Sequence, residues 1–259
     1  MTYVDSPTGP LEVMVTGAGE PVTLFAHGLA GSIAETRPFG SGVKGARVFF
    51  HFHSHGASAE SVNAWSYADL EAELRCVQQA YAARRGLGVS LGAGALLRAA
   101  VHHPGAFERL VLVLPAALDR PRSGRAVERV ETMASYADRR DPEGLAAELL
   151  AEQPVEVRER RVVQIWARQQ AERLLAPTVA PILRDISRLV PLDDRGALAA
   201  VSCPVLVIGQ DGDEAHPSRL VRDLAEALPD ARAEIFAPGG VLWTHRPALR
   251  CLISAFLNQ

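Results

Sequence analysis

Short apolar runs recur along the chain at 11–15, 22–25, 48–52, 87–89, 110–114, 205–208 and 233–236, and each predicts a strand. Between them, Leu70, Leu74, Val77 and Tyr81 repeat at helical spacing, as do Leu96, Leu97, Ala100 and Val101 ahead of Pro104. This alternation predicts βαβ units. Val111-Leu112-Val113-Leu114 and Val205-Leu206-Val207-Ile208 are apolar without interruption, which predicts strands covered on both faces in a largely parallel sheet. From 119 to 198 the strand signal stops. Charged, Ala- and Leu-rich stretches replace it, punctuated by Pro121, Pro142, Pro154, Pro177, Pro181 and Pro191. Acids and arginines nearly balance there, as on solvated helix faces with i,i+4 pairs. The apolar faces of these helices must cover something, and the carboxyl ends of the strands are where ligands bind in open α/β sheets. The expected organisation is therefore an α/β core over 1–118 and 199–259, with a mostly parallel central sheet flanked by helices. A helical cap is inserted at 119–198. A closing helix buries Leu249, Leu252, Ile253 and Phe256.

With 48% hydrophobic and 22% charged residues and a formal net charge of −3, the 259-residue chain has an ordinary globular composition without the basic excess of a nucleic-acid binder. Lys44 is the only lysine, and arginine used in its place implies no phosphate site. Cys76, Cys203 and Cys251 are odd in number and far apart, which argues against a disulfide scaffold or a zinc site. No basic start precedes an apolar stretch, and no run approaches the length needed to cross a bilayer. A cytoplasmic protein is expected, acting on a small molecule, without nucleic-acid or membrane partners, as a monomer or weak homodimer.

The densest chemical signal is Gly88-Val89-Ser90-Leu91-Gly92, placed behind an apolar run and ahead of a small-residue helix pattern. A serine on a tight strand-to-helix turn needs small neighbours, and the turn aims its hydroxyl into a cleft. The Leu91 amide then lies at a helix N-terminus, where partial positive charge stabilises a developing oxyanion. The glycines lack the Lys-Ser/Thr ending of a phosphate-cradling loop. His51, His53 and His55 alternate but run into a glycine turn with no carboxylates nearby in sequence, so no metal site is expected.

Upstream, Phe25-Ala26-His27-Gly28-Leu29-Ala30-Gly31-Ser32 follows one predicted strand. Downstream, Gln210-Asp211-Gly212-Asp213-Glu214-Ala215-His216-Pro217 follows another, and His245 stands near the end. In this order of elements the chain resembles the α/β-hydrolase fold family over essentially its whole length. His51-Phe52-His53-Ser54-His55-Gly56-Ala57-Ser58 resembles a degraded form of that family's Arg-Gly-His-Gly-x-Ser loop. The resemblance implies Ser90 as nucleophile and the backbone amides of Leu29 and Leu91 as oxyanion hole. It implies Asp213 as the acid, since Pro217 follows four residues later, with Asp211 as runner-up. A polar turn capped by Gly212 is the structural alternative for both.

For the base the resemblance points to His245. Most relatives carry the histidine directly after a glycine pair, whereas Gly239-Gly240 is here followed by Val241. His216 is the second candidate. His27, Gly28 and Trp243 are expected at the substrate, and no cofactor or metal is implied. The implied reaction is cleavage of a carboxylic ester, thioester or lactone through an acyl-serine. Serine rather than aspartate in the elbow argues against dehalogenase or epoxide-hydrolase chemistry. Two alternatives share the fold: a non-catalytic ligand-binding protein, and a non-hydrolytic lyase or cyclase of specialised metabolism.

Overall fold

The structure, a computed structural model, describes residues 1–60 and 65–259. Its centre is an eight-stranded sheet of β1 (Thr2–Val4), β2 (Leu11–Thr16), β3 (Thr23–Ala26), β4 (Arg47–Phe50), β5 (Arg85–Val89), β6 (Arg109–Val113), β7 (Val205–Gln210) and β8 (Ala231–Phe236), in the order β1-β2-β4-β3-β5-β6-β7-β8. β1 and β2 pair antiparallel with β2 and β4 respectively, and every later pairing is parallel. Successive side chains of the inner strands enter opposite cores. Leu24, Ala26, Leu110, Leu112, Val205 and Val207 join one cluster, while Phe25, Val111, Val113, Leu206 and Ile208 join the other. Continuous apolarity in these strands therefore reflects a sheet buried on both faces.

The first face is covered by α2 (Tyr67–Ala80), α3 (Leu91–His102) and α9 (Ser218–Ala227), and the second by the short α1 (Ile33–Thr36) and by α10 (Arg246–Leu257). Ser66 caps α2 by accepting from the Asp69 N–H. Between β6 and β7 lie α4 (Arg125–Asp138), α5 (Pro142–Ala151), α6 (Val155–Arg158), α7 (Arg161–Leu174) and α8 (Ile182–Asp185). α4 buries Ala126, Val130, Ala134 and Ala137, and α7 buries Val163, Ala167, Ala171 and Leu174, each a single stripe that packs against its neighbours. No helix among the described residues is long and apolar enough to cross a membrane.

Backbone packs closely against backbone where β5 turns into α3. A Cβ on Gly88 would stand 2.4 Å from the Gly92 carbonyl oxygen, and one on Gly92 would stand 2.6 Å from the carbonyl oxygens of both Ala26 and His27. Backbone, not flexible side chain, occupies that space, so nothing can yield cheaply. Gly92→Ala is expected to destabilise the fold by about 1–3 kcal/mol or more, read from its chemical-denaturation midpoint.

Candidate active site

Ser90 stands between β5 and α3 with φ 49° and ψ −109°, a left-handed conformation that is costly for a residue with a side chain. The surroundings hold it there. Its N–H donates to Val113 O at 2.9 Å, and its carbonyl accepts from the amides of Ala93 at 3.0 Å and Gly94 at 3.2 Å. Leu91 is the first residue of α3, where an N–H has no partner within its own helix.

Asp213 and His216 come from one short turn. β7 ends at Gln210, Gly212 takes φ +79°, and Asp213 Oδ1 accepts from the amides of Ala215 at 3.0 Å and His216 at 2.9 Å. That Asx-type turn folds the chain back so that the His216 ring lies over its own acid. His216 Nδ1 is 3.1 Å from Asp213 Oδ2, and Nε2 is 3.0 Å from Ser90 Oγ. A carboxylate only accepts, so Nδ1 carries the hydrogen and Nε2 is left to accept from the serine hydroxyl. Burial pushes the Asp213 carboxyl up, but the His216 side chain and amide, with Arg129 nearby, outweigh it and hold the group below its usual value. The acid stays ionised at neutral pH. Asp211 turns away, 3.5 Å from an Arg222 Nη2.

His245 does not reach this site. Gly239, at φ +139°, and Gly240, at φ +83°, swing the chain after β8, and a π-type turn follows over Gly240–Thr244. Val241 anchors that turn in the core, its amide donating to Gln210 Oε1 at 2.5 Å. His245 is consequently carried to the rim, where Nε2 donates to Ala237 O at 3.0 Å and the ring lies against Phe236. The expectation of His245 beside Ser90 is corrected: His216 occupies that place. The one sequence signal for it is the Asp-x-x-His spacing across 213–216, which lets an Asx turn close the acid onto the imidazole.

His27 also departs from expectation. It is fully buried beneath the cavity, with Nδ1 donating to Gly28 O at 2.6 Å and Nε2 accepting from the Phe52 N–H at 3.1 Å. Two neighbouring histidines hold the loop that carries Leu29. His55 Nε2 accepts from the Ala30 amide and His51 Nε2 from the Ile33 amide, both at 3.0 Å. Carboxylates distant in sequence orient the alternating rings: Glu12 lies 2.8 Å from His51 Nδ1 and Glu73 2.5 Å from His53 Nδ1. From above, α7 grips the same loop through Gln170 Nε2 to Leu29 O at 3.1 Å and Arg173 Nε to Ala30 O at 2.6 Å.

Ser90 and His216 open into a cavity of about 880 Å³, bounded by Gly28 and Leu29 below and by residues of α4, α5 and α7 above. Trp243 lines it, edge-on to Trp166 with ring centroids 5.6 Å apart, and its Nε1–H donates to Gln153 Oε1 at 2.8 Å.

No protein-family model matches the chain, and no curated protein matches it in sequence. Solved structures do match. An esterase from Exiguobacterium antarcticum superposes with a TM-score of 0.81 at 18% identity, covering 100% of this chain and 99% of that one. An enol-lactonase from Burkholderia xenovorans gives 0.81 at 19% identity with 100% of both chains covered. An α/β-hydrolase enzyme from a Medee basin deep-sea metagenome library gives 0.82 at 13% identity, covering 100% of this chain and 98% of that one. The chain has the α/β-hydrolase fold. At these identities the likeness is one of architecture. Within the α/β-hydrolase fold of this chain, the turn after β5 and the turn after β7 meet over one cavity, and the turn after β8 supplies its wall.

Proposed function

We propose that the protein is a serine hydrolase that cleaves a small-molecule carboxylic ester, thioester or lactone through an acyl-Ser90 intermediate. The observation that supports this most is the unbroken line of hydrogen bonds from Ser90 Oγ through His216 to Asp213. A serine hydroxyl is a weak nucleophile until a base accepts its proton as it attacks. Here His216 Nε2 takes that proton while Oγ bonds to the carbonyl carbon. The imidazolium that results is stabilised by the ionised Asp213. The carbonyl oxygen becomes an oxyanion within reach of the Leu29 and Leu91 amides, whose preorganised dipoles favour the new charge. His216 then gives its proton to the departing alkoxide or thiolate, which in a lactone remains tethered to the acyl group. Water enters, loses a proton to His216 and attacks the acyl carbon; the acid departs and Ser90 regains its hydrogen.

Intact mass after incubation with a fluorophosphonate tests this reading. The native chain is expected to gain one phosphonyl group, and Ser90→Ala to gain none. Absence of labelling in a folded native chain, together with no turnover across simple esters and thioesters, would overturn it and leave a ligand-binding role for the cavity.

A further inference from the structure

One arginine on the cavity wall has no counterpart. Arg122 lies in the segment between β6 and α4, its amide donating to Ser187 O at 2.8 Å, and its side chain borders the cavity that contains Ser90. Its Nε is enclosed and without a hydrogen-bond partner. The other arginines of the wall are occupied. Arg125 pairs with Glu214 at 2.5 Å, Arg129 with Glu152, and Arg158 donates to the carbonyls of Ala151 and Gln153 at 2.6 Å each. Among the described residues no hydrogen bond or ion pair engages the Arg122 side chain. Withdrawing a guanidinium from water without a partner is unfavourable, and a ligand anion removes that cost.

Arg122 also lies near a buried phenol, that of Tyr67. Burial pushes the Tyr67 phenol up to about 12, and the nearby Arg122 charge opposes that shift. The same phenol packs on α3, where a Cβ on Gly94 would stand 2.8 Å from its oxygen. Gly94 is four residues beyond Ser90, about one helical turn. Arg122 and Ser90 border the same cavity. A carboxylate a few bonds from a scissile carbonyl can meet Arg122 while the carbonyl lies at Ser90. Glu128, Glu148 and Glu156 border the same opening; Glu128 and Glu156 are exposed, where water and salt screen them, and half-buried Glu148 interacts with Arg129.

We infer that Arg122 receives a carboxylate of the substrate, so that the favoured substrate is a carboxylate-bearing ester or lactone. The inference rests on the acyl-serine reading above. The planar fork of a guanidinium suits a carboxylate with two parallel N–H···O bonds, which a lysine at that position cannot reproduce.

The test compares kcat/KM for para-nitrophenyl hemisuccinate and para-nitrophenyl butyrate, esters that differ by the terminal carboxylate. The native chain is expected to favour the hemisuccinate. Arg122→Gln is expected to lower the hemisuccinate-to-butyrate ratio by on the order of 10- to 100-fold, mainly through KM, and Arg122→Lys to recover part of it. A ratio unchanged in Arg122→Gln overturns the assignment, since a merely structural arginine would alter both esters alike. If neither ester is turned over, Arg122 is tested by equilibrium binding of both esters to Ser90→Ala. Tighter binding of the hemisuccinate that disappears on adding Arg122→Gln sustains the carboxylate site, and equal affinity for the two esters overturns it.

Discussion

His216→Ala is expected to lower kcat/KM for ester hydrolysis by on the order of 10³- to 10⁶-fold, whereas His245→Ala stays within about twofold of the native chain. The contrast follows from position. His216 Nε2 lies 3.0 Å from Ser90 Oγ, while His245 Nε2 is engaged by Ala237 O on the rim. Without an imidazole at Nε2, attack by Ser90 must release its proton to water, and the Asp213 charge has no imidazolium to stabilise. The remaining rate comes from binding and the oxyanion amides. Asp213→Asn should fall between the two, because an amide can hold the ring in the wrong tautomer. Steady-state kinetics on one ester, with circular dichroism to confirm folding, decides the matter. A large loss in His245→Ala beside a small one in His216→Ala would mean that the turn after β8 rearranges to supply the base.

Acid is expected to destabilise the protein from about pH 6.5 downward, earlier than carboxylate titration alone would. His27, His51 and His55 each accept a main-chain N–H on Nε2 and donate from Nδ1, so the neutral rings are satisfied and a protonated ring would set N–H against N–H. Burial lowers all three: His27 far below its ordinary value, His51 less because Glu12 opposes the shift, and His55 to about 4. The rings also disfavour one another's charge, and Arg173 adds to that.

The sign is as follows. Above pH 6.5 neither state protonates these rings, and they make no difference to stability. Between 6.5 and about 4 the unfolded chain takes up protons that the native chain refuses, so stability falls as pH falls; below 4 the His55 contribution levels off. For His55 alone the full span corresponds to about 3 kcal/mol, of which about 2 is lost by pH 5. Glu12 and Asp213, both held below their ordinary values, add a further loss at lower pH as they protonate. Denaturant midpoints at about pH 7.5, 6 and 5 measure the slope. His55→Gln, whose side-chain oxygen can still accept from Ala30, should flatten it. An identical slope in that variant would show that His55 is not its source.

The inner strands and the elbow were legible because both are local statements. An apolar run needs only its own length to declare a strand buried on two faces, and Gly-x-Ser-x-Gly needs only its neighbours. β1 escaped notice because it is a three-residue edge strand with Tyr3 exposed. The run at 48–52 extends two residues past the end of β4. The His51 N–H still donates to Glu12 O at 3.0 Å, and main-chain pairing stops there because the Phe52 N–H turns to His27 and the His53 N–H to Glu73. Which histidine meets Ser90 is a long-range matter. His216 stands 126 positions from Ser90, and the pairing depends on β5 and β7 flanking β6 and on the Asx turn at Asp213. No periodicity records either.

Acid and base here belong to a single turn that leads through Pro217 directly into α9. Because Asp213 grips both the His216 ring and its amide, a displacement of this turn carries the two residues together. Their mutual bond survives the movement, and only the gap between Nε2 and Ser90 Oγ changes. Competence for proton transfer is thereby reduced to one mechanical coordinate, the seating of α9 on the sheet. A contact that tugs on that helix would open this gap without disturbing the charge pair.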